Sequence, residues 1–103
     1  MTLTELKKQL DTLGLPIAYR EYPEGKTPKA PFIVYYQDGT DNFSADGIVY
    51  LKVDNCSIEM YFDEKMPEVE EEMEKLLDGM GIFWNKEEFW IESEKYIEVL
   101  YKI

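Results

Sequence analysis

Residues 32–62, FIVYYQDGTDNFSADGIVYLKVDNCSIEMYF, decide the fold. Phe32 to Gln37 is dense in β-branched and aromatic residues and predicts a strand. Asp46-Gly47 is a favoured two-residue hairpin turn, because both residues tolerate positive φ. Folding the chain about it sets Ala45 opposite Ile48 and Phe32 opposite Tyr61. In that register Ile33 and Tyr35 share a face with Cys56, Ile58 and Met60, so one hairpin over about 32–62 has a consistent apolar base. Further out the pattern shifts. Val49, Leu51 and Val53 hold odd positions, whereas Cys56, Ile58, Met60 and Phe62 hold even ones. A bulge or break is expected near Asp54-Asn55, with 39–52 projecting as an arm or mobile loop.

Upstream, Thr2 and Glu5 have capping-box spacing. Leu3, Leu6, Leu10 and Leu13 then recur with helical period, and Gly14 with Leu15-Pro16 ends the helix, which spans roughly residues 3–13. Ile17 to Tyr22 reads as a brief strand. The loop 23–31 holds Pro23, Gly25, Pro28 and Pro31 and cannot be helical. Downstream, Met66-Pro67 opens a second helix. Val69, Met73, Leu76, Leu77 and Met80 make its apolar face; Glu68, Glu70, Glu71, Glu72, Glu74 and Asp78 occupy the other positions. Gly79 and Gly81 end it. Ile82 to Trp84, Phe89 to Glu92 and Tyr96 to Ile103 read as strands, the last two joined by a turn at 93–95. The order is α-β-ββ-α-βββ: an α+β fold with two helices on one face of a mainly antiparallel sheet. At 103 residues the chain is a single domain, 1–103.

Asp and Glu number 22 against 11 Lys and Arg, a formal net charge of -11. That disfavours direct nucleic-acid binding and anionic membranes, both of which require clustered cations. No apolar stretch has membrane-spanning length, and the N-terminus lacks the apolar core of a signal peptide. The lone Cys56 excludes an intrachain disulfide and reads as a small buried hydrophobe.

The sequence contains no histidine. The common general base, the Ser-His and Cys-His pairs and the usual transition-metal ligand are therefore missing. Asp38 to Asn42, with Asp46 nearby, misses the spacing of a calcium loop and is better explained by turn chemistry. No residue is a candidate for catalysis, cofactor or metal, and the chain is expected not to be an enzyme. Eight Tyr and two Trp exceed the needs of one small core, which implies either half-exposed rings on a sheet face or a subunit interface.

The run GLPIAYREYPEGKTPKAPFIVYY, then NFSADG, the acidic helix after Asp63-Glu64-Lys65, and FWIESEKYIEVLYKI resemble short structural proteins of prophages and long-tailed phages, of the tail-completion (tail-terminator, head–tail joining) type. That resemblance implies a subunit that assembles with itself into a ring on the head-proximal end of the tail tube. Its other partners would be the tail tube protein and the head–tail connector. It would reside in the bacterial host cytoplasm during assembly and then in the virion tail. The expected protein-interaction residues are Asp41, Asn42, Phe43 and Asp46 at the hairpin tip, and Glu70, Glu71 and Glu74 on the second helix. The alternative is an acidic inhibitor or DNA mimic that occupies the basic site of a nuclease or restriction enzyme, using the same helix carboxylates as phosphate surrogates.

Overall fold

The computed structural model describes residues 2–45 and 47–103, with only the backbone described at 41–45 and 48–53. Helix α1 (Leu3–Leu10) runs into a short 3-10 turn (Asp11–Leu13), matching the expected 3–13. Its capping box is formed: Glu5 N–H donates to Thr2 Oγ1 at 3.1 Å and Thr2 N–H to Glu5 Oε2 at 3.4 Å. Gly14, at φ 73°, supplies the left-handed residue that stops it.

Five strands follow: β1 (Ile17–Tyr19), β2 (Phe32–Ala45), β3 (Ile48–Phe62), then after helix α2 (Pro67–Gly79), β4 (Asn85–Ile91) and β5 (Tyr96–Lys102). They form one sheet in the order β1-β2-β3-β5-β4. Only the β1–β2 pair is parallel; the other three are antiparallel. Leu6, Leu10, Met73 and Leu77 from the two helices share one core with Ile33, Ile58, Met60, Phe62, Val99 and Tyr101, so both helices cover the same face. The structure is thus of the α+β class, with two helices on a mainly antiparallel sheet.

The hairpin has the expected register. Phe32 pairs with Tyr61 and Ala45 with Ile48, and Gly47 has φ 76°. The irregularity also falls at the expected level, beside Asn55 and Cys56, but the extra residue belongs to β2: the register steps from Gln37↔Cys56 to Gly39↔Asn55, skipping Asp38. Its cause is local. Ser57 is fully buried and its hydroxyl donates to Asp38 Oδ2 at 2.6 Å, so the bulge brings an acceptor to a buried donor. A second step, Phe43↔Leu51 to Ser44↔Val49, skips Tyr50 on β3 and restores the original register.

Two strand expectations are corrected. The first strand stops at Tyr19 instead of Tyr22 because Arg20 takes φ 68°. Its guanidinium lies 5.1 Å from the Tyr36 ring centroid, a cation–π contact that holds the turned-out residue against the sheet. Residues 82–84 are not a strand. Gly81 at φ 71° closes α2, with Ile82 N–H donating to Leu77 O and Gly81 N–H to Asp78 O, both at 3.0 Å. That pair of bonds satisfies the last helical carbonyls and draws Ile82 back onto the core. The expected Phe89–Glu92 strand is β4, which begins four residues earlier at Asn85, so the described residues form five strands where six were expected.

Candidate interaction surface

The carboxylates of α2 divide into two groups. Glu70 was placed on the solvent face, but it is buried, because it lies three and seven residues before Met73 and Leu77 on the inward stripe. Lys65 Nζ stands 2.7 Å from its Oε2 as an ion pair, and Lys86 Nζ reaches its Oε1 at 3.3 Å. Lys86 also donates to Glu74 Oε2 at 2.8 Å, and the buried Tyr101 hydroxyl donates to the same oxygen at 2.7 Å. Lys65 closes the network on Glu88 at 2.6 Å. Burial pushes the Glu74 carboxyl up, but the bonds from Lys86 and Tyr101 outweigh it and hold the group below the usual carboxylate range. The bond to Glu74 in turn holds Lys86 above the usual lysine range. A charge buried beside two cations is strongly committed to its place. Glu70 and Glu74 therefore fasten α2 to β4 and are not a free docking surface; of the three helix candidates only Glu71 is exposed.

The other four candidates lie on the hairpin. Asp41, Asn42 and Phe43 sit on the outer part of β2, opposite Val53, Lys52 and Leu51. Their side chains, and Asp46 altogether, fall outside the described residues. The outer hairpin is a two-stranded ribbon. β1 accompanies β2 as far as Tyr35, and β5 with Ile103 accompanies β3 as far as the Cys56–Ile103 pair. Beyond those points 39–45 and 48–55 have, among the described residues, only each other as strand partners. The molecule measures 50 × 30 × 23 Å.

The sheet face away from the helices carries features the sequence did not announce. Phe32 stacks on Tyr61 with centroids 5.1 Å apart, while Tyr22 and Tyr96 meet Phe32 edge-on at 5.4 and 5.6 Å. These rings and Arg20 line a concavity of about 390 Å³. Beneath it Tyr36 donates to Glu59 Oε2 at 2.8 Å, and the Tyr61 hydroxyl lies 2.7 Å from Glu59 Oε1 and 2.9 Å from Glu98 Oε1. Tyr61 has one hydrogen for two carboxyl groups. Burial raises Glu98 above the usual carboxylate range, and the nearby Glu59 charge adds to the effect. Burial likewise pushes the Tyr36 phenol up to about 12. Alternation along β2, β3 and β5 predicts that Phe32, Tyr61 and Glu98 share a face; the ring stack and the carboxyl pair need the assembled sheet.

The two outer strands differ in exposure. β4 is exposed along its length up to Ile91, with Phe89 at 42% and Trp90 at 55%, and Phe83 just before it at 81%. The run Phe-Trp at 89–90 was visible as aromatic surplus, but its position on an open edge was not. At the opposite edge Leu3, Lys7 and Lys8 of α1, with Tyr19 and Tyr35, line a mainly apolar groove of about 530 Å³. Among the described residues, no group of three or more His, Cys, Asp or Glu side chains has the arrangement to hold a metal ion, and no helix is long and apolar enough to cross a membrane.

Compared with family models, curated proteins and solved structures, the chain has no match.

Proposed function

We propose that this chain is a tail-completion (tail-terminator) subunit of a long-tailed phage. It assembles with copies of itself into a ring on the head-proximal end of the tail tube and docks to the head–tail connector. It works by contact and not by catalysis, in the host cytoplasm during assembly and then in the virion tail. The observation that carries this reading is the ribbon of 39–45 and 48–55, which runs past the rest of the sheet and, among the described residues, has only itself for a strand partner. At the usual rise per residue it reaches about 20 Å. A two-stranded ribbon of that kind is marginal in water by itself, and a protein partner gives it a surface to rest on. The absence of histidine and the single buried Cys56 weigh on the same side, since they leave the common nucleophilic chemistries without their groups.

The acidic-inhibitor alternative is weakened because Glu70 and Glu74 already have lysine partners within the chain. Deleting Thr40 to Val49 tests the proposal. The shortened protein is expected to unfold cooperatively near the parent's midpoint, yet to yield no infectious particles in a phage lacking the gene. Infectious particles from a folded deletion variant overturn the reading.

A further inference from the structure

The two edges of the sheet are chemically unlike. Residues 1–31, which supply α1, β1 and the loop after it, hold five Lys and Arg against four Asp and Glu. Residues 63–95, which supply α2 and β4, hold four against twelve. Three of those four lysines, Lys65, Lys86 and Lys95, already pair with glutamates of the same region. β1 and β4 are the opposite ends of the strand order, so the charge is split across the width of the sheet. The apolar features are split in the same sense. Phe83 and Trp90 stand exposed at the acidic edge, and the groove of Leu3, Lys7, Lys8, Tyr19 and Tyr35 opens at the other. Both belong to the helix-bearing layer. Trp90 pairs across the ladder with Ile97, which packs against the core, and Tyr19 meets the buried Tyr35 edge-on at 5.1 Å.

We infer that the β4 edge of one copy docks against the α1–β1 edge of the next, head to tail, with Trp90 entering the groove. Charge complementarity selects this occupant. A two-fold contact between two β4 edges sets one acidic surface against another, whereas the unlike edges attract. The groove floor is apolar and its rim carries Lys8 beside the Lys7–Asp11 ion pair, so Lys8 is the rim cation available to a glutamate next to an aromatic side chain. β1 has three residues, so the ladder between copies is short and side chains carry the contact. A docked pair still presents one free edge of each kind, so further copies can add until a ring closes. The inference rests on the self-assembly part of the proposed function and not on its place in a virion.

A charge exchange tests it. The exposed pair Lys7→Glu/Lys8→Glu reverses the groove rim, and the exposed pair Glu71→Lys/Glu87→Lys reverses the acidic edge while sparing the Lys65–Lys86 network. Sedimentation across a concentration series is expected to show parent self-association that weakens with salt. Each double variant alone should associate at least ~10-fold more weakly, and an equimolar mixture should return to the parent value, because both of its junctions are again unlike. Trp90→Ala, which reverses no charge, is expected to weaken association by about tenfold as well. A parent that stays monomeric at the highest attainable concentration overturns the inference, as does a mixture no stronger than its components. A mixture that reassembles while the Thr40–Val49 deletion still yields phage removes the virion role and keeps the edge contact. Phage dependence on the ribbon with a silent mixture does the reverse.

Discussion

Cys56, Ile58, Met60 and Phe62 alternate along β3 with Ser57, Glu59 and Tyr61, yet the two sets are covered by different physics. The first set lies under α1 and α2 with at most 1% of its surface exposed and touches apolar neighbours. Its stabilisation scales with area removed from water and asks little of geometry. The second set lies on the face without helices, where Ser57 is fully buried by its bond to Asp38 and Tyr61 is held between two carboxyl groups. Here the covering material is polar, and the count of hydrogens decides whether it holds. One strand can thus serve a dry face and a hydrogen-bonded face, provided each donor on the second has an acceptor within reach. The contrast also explains why one layer of helices suffices for this sheet.

The comparison breaks most easily on the dry face. Ile58→Ala removes buried methyl groups between the helices and should cost about 2–5 kcal/mol in chemical denaturation. A loss below that range would mean that the helices collapse freely onto the vacated space. Tyr61→Phe keeps the ring stack with Phe32 but removes the hydrogen shared with Glu59 and Glu98. Its expected cost is smaller, about 0.5–1.5 kcal/mol at neutral pH. A cost equal to that of Ile58→Ala would erase the distinction between the faces.

The smallest effect has a pH signature. Because the folded state raises the Glu98 carboxyl, it holds that proton to higher pH than the unfolded chain does. The group therefore lowers stability as pH rises from the ordinary carboxylate range through its folded value, and exacts nothing below that range. Glu98→Gln removes the titration, and its amide donates to the Tyr61 oxygen as a protonated carboxyl does. The variant should match the parent near pH 4 and exceed it by a few tenths to about 1 kcal/mol near pH 8, small because Glu98 is only partly buried. Urea midpoints at the two values check the sign, and a variant less stable at the higher pH would show that Glu98 is charged and well satisfied there.

Much of the architecture was legible because it is written in short-range pattern. The turn at Asp46-Gly47 fixes the hairpin register, the leucine spacing fixes α1, and the parity change fixes the level of the bulge. What stayed hidden depends on residues far apart in the chain. Glu70 shares helical spacing with Met73 and Leu77, a signal that it faces inward, yet a buried carboxylate is credible only once Lys65 and the distant Lys86 are seen to meet it. The first half of β4 escaped because Asn85-Lys86-Glu87-Glu88 has no apolar alternation, as befits an edge strand whose charges discourage stray pairing; only Phe89 onward is legible as strand. The composition of Ile82-Phe83-Trp84 predicts a strand, while a left-handed glycine at Gly81 decides the backbone there. Of the candidate interaction residues, the hairpin tip is suggested by turn chemistry and the helix trio by charge density alone, which does not distinguish a free carboxylate from a paired one.

The two irregularities of the long hairpin have a consequence of their own. Asp38 is an extra residue on β2 and Tyr50 an extra residue on β3, so the register slips by one and then slips back. Neither has a ladder partner among the described residues, so loss of either alone closes one bulge and leaves every remaining pair matched as before. What a bulge changes is facing. Gln37 and Gly39 meet neighbours on β3, Cys56 and Asn55, so they lie on opposite faces of the sheet, whereas residues two apart on an unbroken strand share one. The bulge at Asp38 is thus a parity switch for β2.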